Sequence, residues 1–100
     1  MKRFNQVSIA DIKMMQERLH YNDINGELRW KLPTSNRIRA GMRAGRTHEN
    51  GHIEVRLENR YYMAHHVAWA IFYGAFPDKP IKHLNGNKSD NRLDNLSIKE

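Results

Sequence analysis

The chain has 100 residues, enough for one domain with a thin core, and no apolar run approaching the roughly 20 residues that a membrane-spanning helix needs, so we expect a soluble intracellular protein. Cysteine is absent, which removes disulfides, thiol catalysis and thiolate metal sites and leaves His, Asp, Glu and Asn as possible ligands. The net charge of +6 is concentrated in Arg29, Lys31, Arg37, Arg39, Arg43 and Arg46, a stretch without an acidic residue, while bases and acids balance elsewhere.

Taken in chain order, Ser8 with Asp11 three residues on is a variant of the capping box, and Ile9, Ile12, Met15 and Leu19 recur at helical spacing. This predicts an amphipathic helix over about 9–20. Tyr21 to Gly26 is turn chemistry, and Glu27 to Leu32 alternates as a strand with Leu28, Trp30 and Leu32 on one face, stopped by Pro33. The segment 34–51 has three glycines and few apolar residues, which predicts loop or short irregular strand carrying the arginines, mobile without a ligand. Ile53 to Leu57 alternates strictly, Glu58 to Arg60 can turn, and Tyr61 to Ala64 continues as a second strand, together a hairpin. One of Tyr61 and Tyr62 must then point outward, where it can touch DNA.

From His65 the period changes. Ala64, Ala68, Ile71, Phe72 and Ala75 fall at spacings of three and four, which predicts the central core helix, ending near Tyr73 at Gly74 with Pro77 beyond. Pro80 to His83 is a short extended piece, 85–92 a polar loop, and 95–99 a final short strand. Trp30 and Trp69 sit in apolar patterns and are read as core.

Two features carry chemistry. The basic stretch, with Arg37, Arg39, Arg43 and Arg46, suits a phosphate backbone, although a merely solubilising face is the plainer reading. His83, at the end of a short strand and before an Asn-Gly turn, can be held in one orientation while its ring faces a groove, as a general base requires. The same pattern also fits a packing histidine.

The sequence resembles the phage-type HNH endonucleases of the His-Me finger superfamily, many of which are homing endonucleases. The resemblance is carried by Leu19-His-Tyr-Asn-Asp-Ile-Asn-Gly-Glu-Leu-Arg-Trp-Lys31, Arg39-Ala-Gly41, Tyr62-Met-Ala-His-His-Val-Ala-Trp69, Gly74, Pro77, and His83-Leu-Asn-Gly-Asn-Lys-Ser-Asp-Asn-Arg-Leu-Asp-Asn-Leu96. It implies an α+β single domain over 1–100, with an N-terminal helix, strand and basic loop in 1–52 and a hairpin, core helix and HNH motif in 53–100. It implies a cytoplasmic phage protein that cuts or nicks double-stranded DNA with Mg²⁺ or Mn²⁺. His83 would be the general base, Asn95 the middle Asn of the HNH name that ties the loop, and Asp90 and Asn91 would shape that loop. His65 would be a buried scaffold position, and His66 stands where Arg is usual.

Two departures bear on activity. Lys82 replaces the metal-binding residue usual before the histidine, and a charged ammonium has no lone pair and repels a divalent cation. The helix that brings the family's second ligand would follow the last strand, and the chain stops at Glu100, which gives the expected finger a truncated look. Some superfamily members manage with one ligand, and here Asp90 and Asn91, with Asn85 or Asp94, are the substitutes at hand. Unless one of them is recruited, weak hydrolysis or none is expected; what the resemblance itself implies is a metal-dependent endonuclease or nickase with Lys82 and Lys88 joining the arginines on DNA. The alternative is an inactive scaffold serving as a DNA-binding module or as a phage-encoded inhibitor of a host nucleic-acid-processing protein. A zinc module on His65, His66 and His83 is the least supported, since adjacent histidines at a helix start diverge.

Overall fold

The computed structural model describes residues 7–32 and 37–98; the expected stop at Pro33 and the start of the basic loop lie outside them. The architecture is α+β. Helix α1 (Ile9–Arg18) begins with a closed capping box: Ser8 Oγ accepts from Asp11 N at 3.1 Å, and Asp11 Oδ2 accepts from Ser8 N at 3.0 Å. It ends two residues before the expected boundary because Leu19 is already extended and opens strand β1 (Leu19–Tyr21). Ile12 and Met15 are buried as the spacing requires, but Ile9 is 76% exposed.

Strand β2 (Leu28–Trp30) pairs antiparallel with β1, Leu19 opposite Trp30 and Tyr21 opposite Leu28, so all four side chains enter the core. Leu32 does not share their face. Lys31 N bonds back to Arg18 O at 2.7 Å, the strand stops at Trp30, and Leu32 is half-exposed.

The arginine segment is more regular than expected. Trp30 N donates to Met42 O, Gly41 N to Trp30 O and Ala44 N to Leu28 O, so this stretch lines the free edge of β2, with Arg29 opposite Arg43. Backbone pairing, invisible to side-chain periodicity, orders it.

Strands β3 (Arg46–Thr47), β4 (Ile53–Leu57) and β5 (Arg60–Met63) form an antiparallel sheet. Glu58 and Asn59 both have positive φ, 51° and 65°, the two-residue turn whose twist matches a hairpin. Ile53, Val55, Leu57 and Tyr62 face inward, and Tyr61 is the outward one, its ring under the Arg56 guanidinium.

Helix α2 (Ala64–Tyr73) ends at Gly74, which takes φ 72° and bonds to Ala70 O at 2.8 Å. Its buried face is Ala64, His65, Val67, Ala68 and Ala70, and the helix packs against α1, β4 and β5. Phe72 and Ala75, expected to face the core, are exposed instead. Trp30 is buried, while Trp69 is half-buried against the core.

Finally, β6 (Ile81–His83) pairs antiparallel with β7 (Leu96–Ile98), His83 opposite Leu96, and a 3₁₀ turn (Leu93–Asn95) leads into β7. Among the described residues no helix is long and apolar enough to cross a membrane.

Candidate active site

The loop between β6 and β7 is stapled by Asn95, which is buried despite its polarity. Its Oδ1 accepts from Asn85 N at 2.9 Å, and its Nδ2 donates to Asn85 Oδ1 at 2.9 Å and to Asp90 O at 2.8 Å. Leu84 N also donates to Asn95 O. One amide thus spans the loop. Asn85 Oδ1 and Asn87 Oδ1 accept from backbone N–H groups two residues on, and Asp90 Oδ1 holds Arg92 N, so the asparagine-rich composition supplies the loop's missing backbone partners.

His83 projects into this frame. Its Nε2 lies 2.8 Å from Asn91 Oδ1. An amide oxygen only accepts, so Nε2 carries the hydrogen and, in the neutral ring, Nδ1 carries the lone pair.

Three further imidazoles surround it. The His65 ring meets His83 edge-on at 4.9 Å between centroids, His52 lies 6.3 Å from His83 and 5.5 Å from His65, and His66 lies 4.4 Å from His65. Burial, reinforced by the neighbouring imidazoles, pushes His65 down to about 3 and His66 down to about 4. His52 is also lowered, by burial and then by Lys88. The Nδ1 atoms of His52 and His65 are buried and have no hydrogen-bond partner among the described residues.

The N-terminal hairpin closes the loop from behind. Tyr21 Oη donates to Asn91 O at 2.5 Å, Leu93 N donates to Asp23 O at 3.1 Å, and Gly26 lies so close that a Cβ there would fall 2.5 Å from Arg92 N and 2.6 Å from Asn91 C. From the other side Ser89 Oγ donates to Gly51 O at 2.6 Å, anchoring the turn that presents His52.

The cationic residues are distributed around this centre. Arg43 shares a cleft of about 110 Å³ with Asn25, Glu27, Ser89 and Asn91, and faces Glu27 Oε2 at 3.7 Å. Arg46 lies on β3, and Arg37, Arg39, Lys82 and Lys88 are exposed. The structure therefore brings together His83, Asn91, Asn95 and Asp90, and Arg43 lines a neighbouring cleft whose wall includes Asn91. His65 is buried beside them, whereas Trp30 belongs to the core and Trp69 packs half-buried against it.

A divalent cation does not fit the groups described here. The Asp90 carboxylate grips Arg92 through Nε and Nη2, both at 2.8 Å, and accepts from Asn85 Nδ2; the Arg92 hydrogen bonds hold it far below the usual carboxylate range. Asn91 Oδ1 is taken by His83, and the Asn85 and Asn95 oxygens are used in the loop. Among the described residues no three His, Asp or Glu side chains converge on an ion.

Two participants had no signal in the sequence. His52 lies in a polar turn with nothing to mark it, and its proximity to His83 comes from tertiary packing. Tyr21 stood inside a quoted motif but offered no hint of its bond to a residue 70 positions away.

In comparison with known proteins, residues 62–98 fit a family model described as HNH endonuclease. No curated protein and no solved structure matches the chain. The matched segment contains α2, β6 and β7 with the whole stapled loop, and excludes the N-terminal hairpin, the arginine segment and His52.

Proposed function

We propose that this chain, whose residues 62–98 fit a family model described as HNH endonuclease, hydrolyses phosphodiester bonds of double-stranded DNA, as an endonuclease or nickase, with His83 as general base. The observation that carries this reading is the bond from His83 Nε2 to Asn91 Oδ1, which leaves Nδ1 as the basic nitrogen. The water oxygen attacks phosphorus as its proton passes to Nδ1, and an ester oxygen departs. Because burial keeps His65 and His66 neutral, the imidazolium formed at His83 has no second cation pressed against it from α2.

Arg37, Arg39, Arg43 and Arg46, with Lys82 and Lys88, supply the phosphate grip. Asn95 acts by shaping the loop. HNH nucleases in general act on DNA and depend on a divalent metal; Mg²⁺ or Mn²⁺, if bound, would supply neutralisation of the charge developing on the phosphate. The donors near His83 do not fit it, so no step here runs through a cation.

That misfit favours a second reading, in which the fold and the basic surface survive as a DNA-binding module without hydrolysis. Supercoiled-plasmid nicking with Mg²⁺ and with Mn²⁺, run beside His83→Ala, separates the two. We expect nicking that falls by about 10²- to 10⁴-fold in the variant, the usual contribution of general base catalysis. Salt-sensitive DNA binding with no nicking in either protein would establish the binding module instead.

A further inference from the structure

The geometry points to Tyr21 as a positioning residue of the site: its hydroxyl fixes Asn91, and through Asn91 the orientation of His83. This rests on the proposed role of His83 and extends it to a part of the chain that lies outside the family match.

Two hydrogen bonds in series make the connection. Tyr21 Oη donates to Asn91 O at 2.5 Å, and Asn91 Oδ1 accepts from His83 Nε2 at 2.8 Å. Asn91 is buried, the Tyr21 bond is buried with it, and the His83 bond is partly buried. Tyr21 is itself fixed. It is the last residue of β1, opposite Leu28, with its ring in the core, and burial raises its pKa so that the phenol stays a neutral donor.

The adjoining turn reinforces the contact. Gly26 has φ 82° and no room for a Cβ against Asn91 and Arg92, while Asp23 O accepts from Leu93 N. The hairpin therefore forms the back wall of the loop, touching it at Asn91, Arg92 and Leu93. An asparagine held only by its side chain could rotate about its own backbone. One whose carbonyl is pinned from the opposite side presents Oδ1 to His83 in a single orientation, which fixes the proton on Nε2.

The test reads the His83 ring directly. Two-bond ¹⁵N–¹H correlations at about pH 8, above the ordinary imidazole pKa, report which ring nitrogen carries the proton, and His83→Gln assigns the signal. In the wild type we expect the Nε2–H tautomer. In Tyr21→Phe, which removes one oxygen, we expect a mixed tautomer and a kcat for nicking lowered about tenfold with KM unchanged, as for loss of a group that orients another. Gly26→Ala should do the same by pushing the loop away. Tyr62→Phe is the matched control, because Tyr62 Oη is buried without a hydrogen-bond partner among the described residues, and it should leave the His83 tautomer as it was.

A His83 signal in Tyr21→Phe identical to wild type, in a protein whose Asn91→Ala variant does shift it, overturns the role of Tyr21 alone. If Asn91→Ala leaves it unchanged as well, the His83–Asn91 reading fails and this inference fails with it. The tautomer readout does not depend on catalytic activity.

Discussion

Asn91 Oδ1 and His83 Nε2 face each other at 2.8 Å across the loop that joins β6 and β7, and this contact assigns each nitrogen of the His83 ring a different task. Asn91→Ala removes the acceptor that faces Nε2. We expect nicking to fall by about 10²-fold, the lower end of what a general base contributes, because the ring is still present but no longer held. DNA affinity should change little. An equal loss of affinity and rate would place Asn91 in binding instead.

Asn95 makes three side-chain hydrogen bonds inside the same loop. At about 1 kcal/mol each, Asn95→Ala should cost about 3 kcal/mol in urea unfolding, with the m-value unchanged. A cost under about 0.5 kcal/mol would mean that the loop is held by the hairpin behind it and not by this amide.

The histidine cluster predicts a direction for the pH dependence. His65 and His66 have folded pKa values of about 3 and about 4, below their ordinary value of 6.5, so the unfolded chain binds more protons as the solution acidifies. Stability is whole above pH 6.5 and is lost progressively as the pH falls through 4 towards 3. Each unit of separation corresponds to about 1.4 kcal/mol. Urea midpoints measured across this window should drop steeply, and His65→Phe should flatten the drop. A midpoint independent of pH down to 4 would contradict the buried, neutral imidazoles.

Arg43 is expected to meet a phosphate at the rim of the cleft it shares with Asn91. Arg43→Ala should weaken binding to all duplex sequences about equally and lower the slope of log affinity against log salt by about 0.9, the value for one phosphate contact. Discrimination lost at a single base pair would show that it reads a base.

Much of this architecture is legible in the sequence because the signals are local. Ser8 and Asp11 announce the start of α1, the alternation of Ile53, Val55 and Leu57 marks β4, and Gly74 marks the end of α2. Other features depend on partners far along the chain. The arginine segment looked irregular because its order comes from backbone bonds to β2, which leave no trace in side-chain pattern. Phe72 fitted the helical spacing but stands outward, since the buried face of α2 is formed by Ala64, His65, Val67, Ala68 and Ala70. In the site, the run from His83 to Leu96 was readable as a loop around a histidine, whereas His52 and the bond from Tyr21 exist only once the hairpins have packed.

Chemical rescue of His83→Gly tests the base directly. Plasmid nicking lost in the variant should return in proportion to added imidazole, with the wild-type rate unaffected by the same additions. Wild-type nicking that persists undiminished in His83→Gly without imidazole would contradict the assignment of His83 as the base.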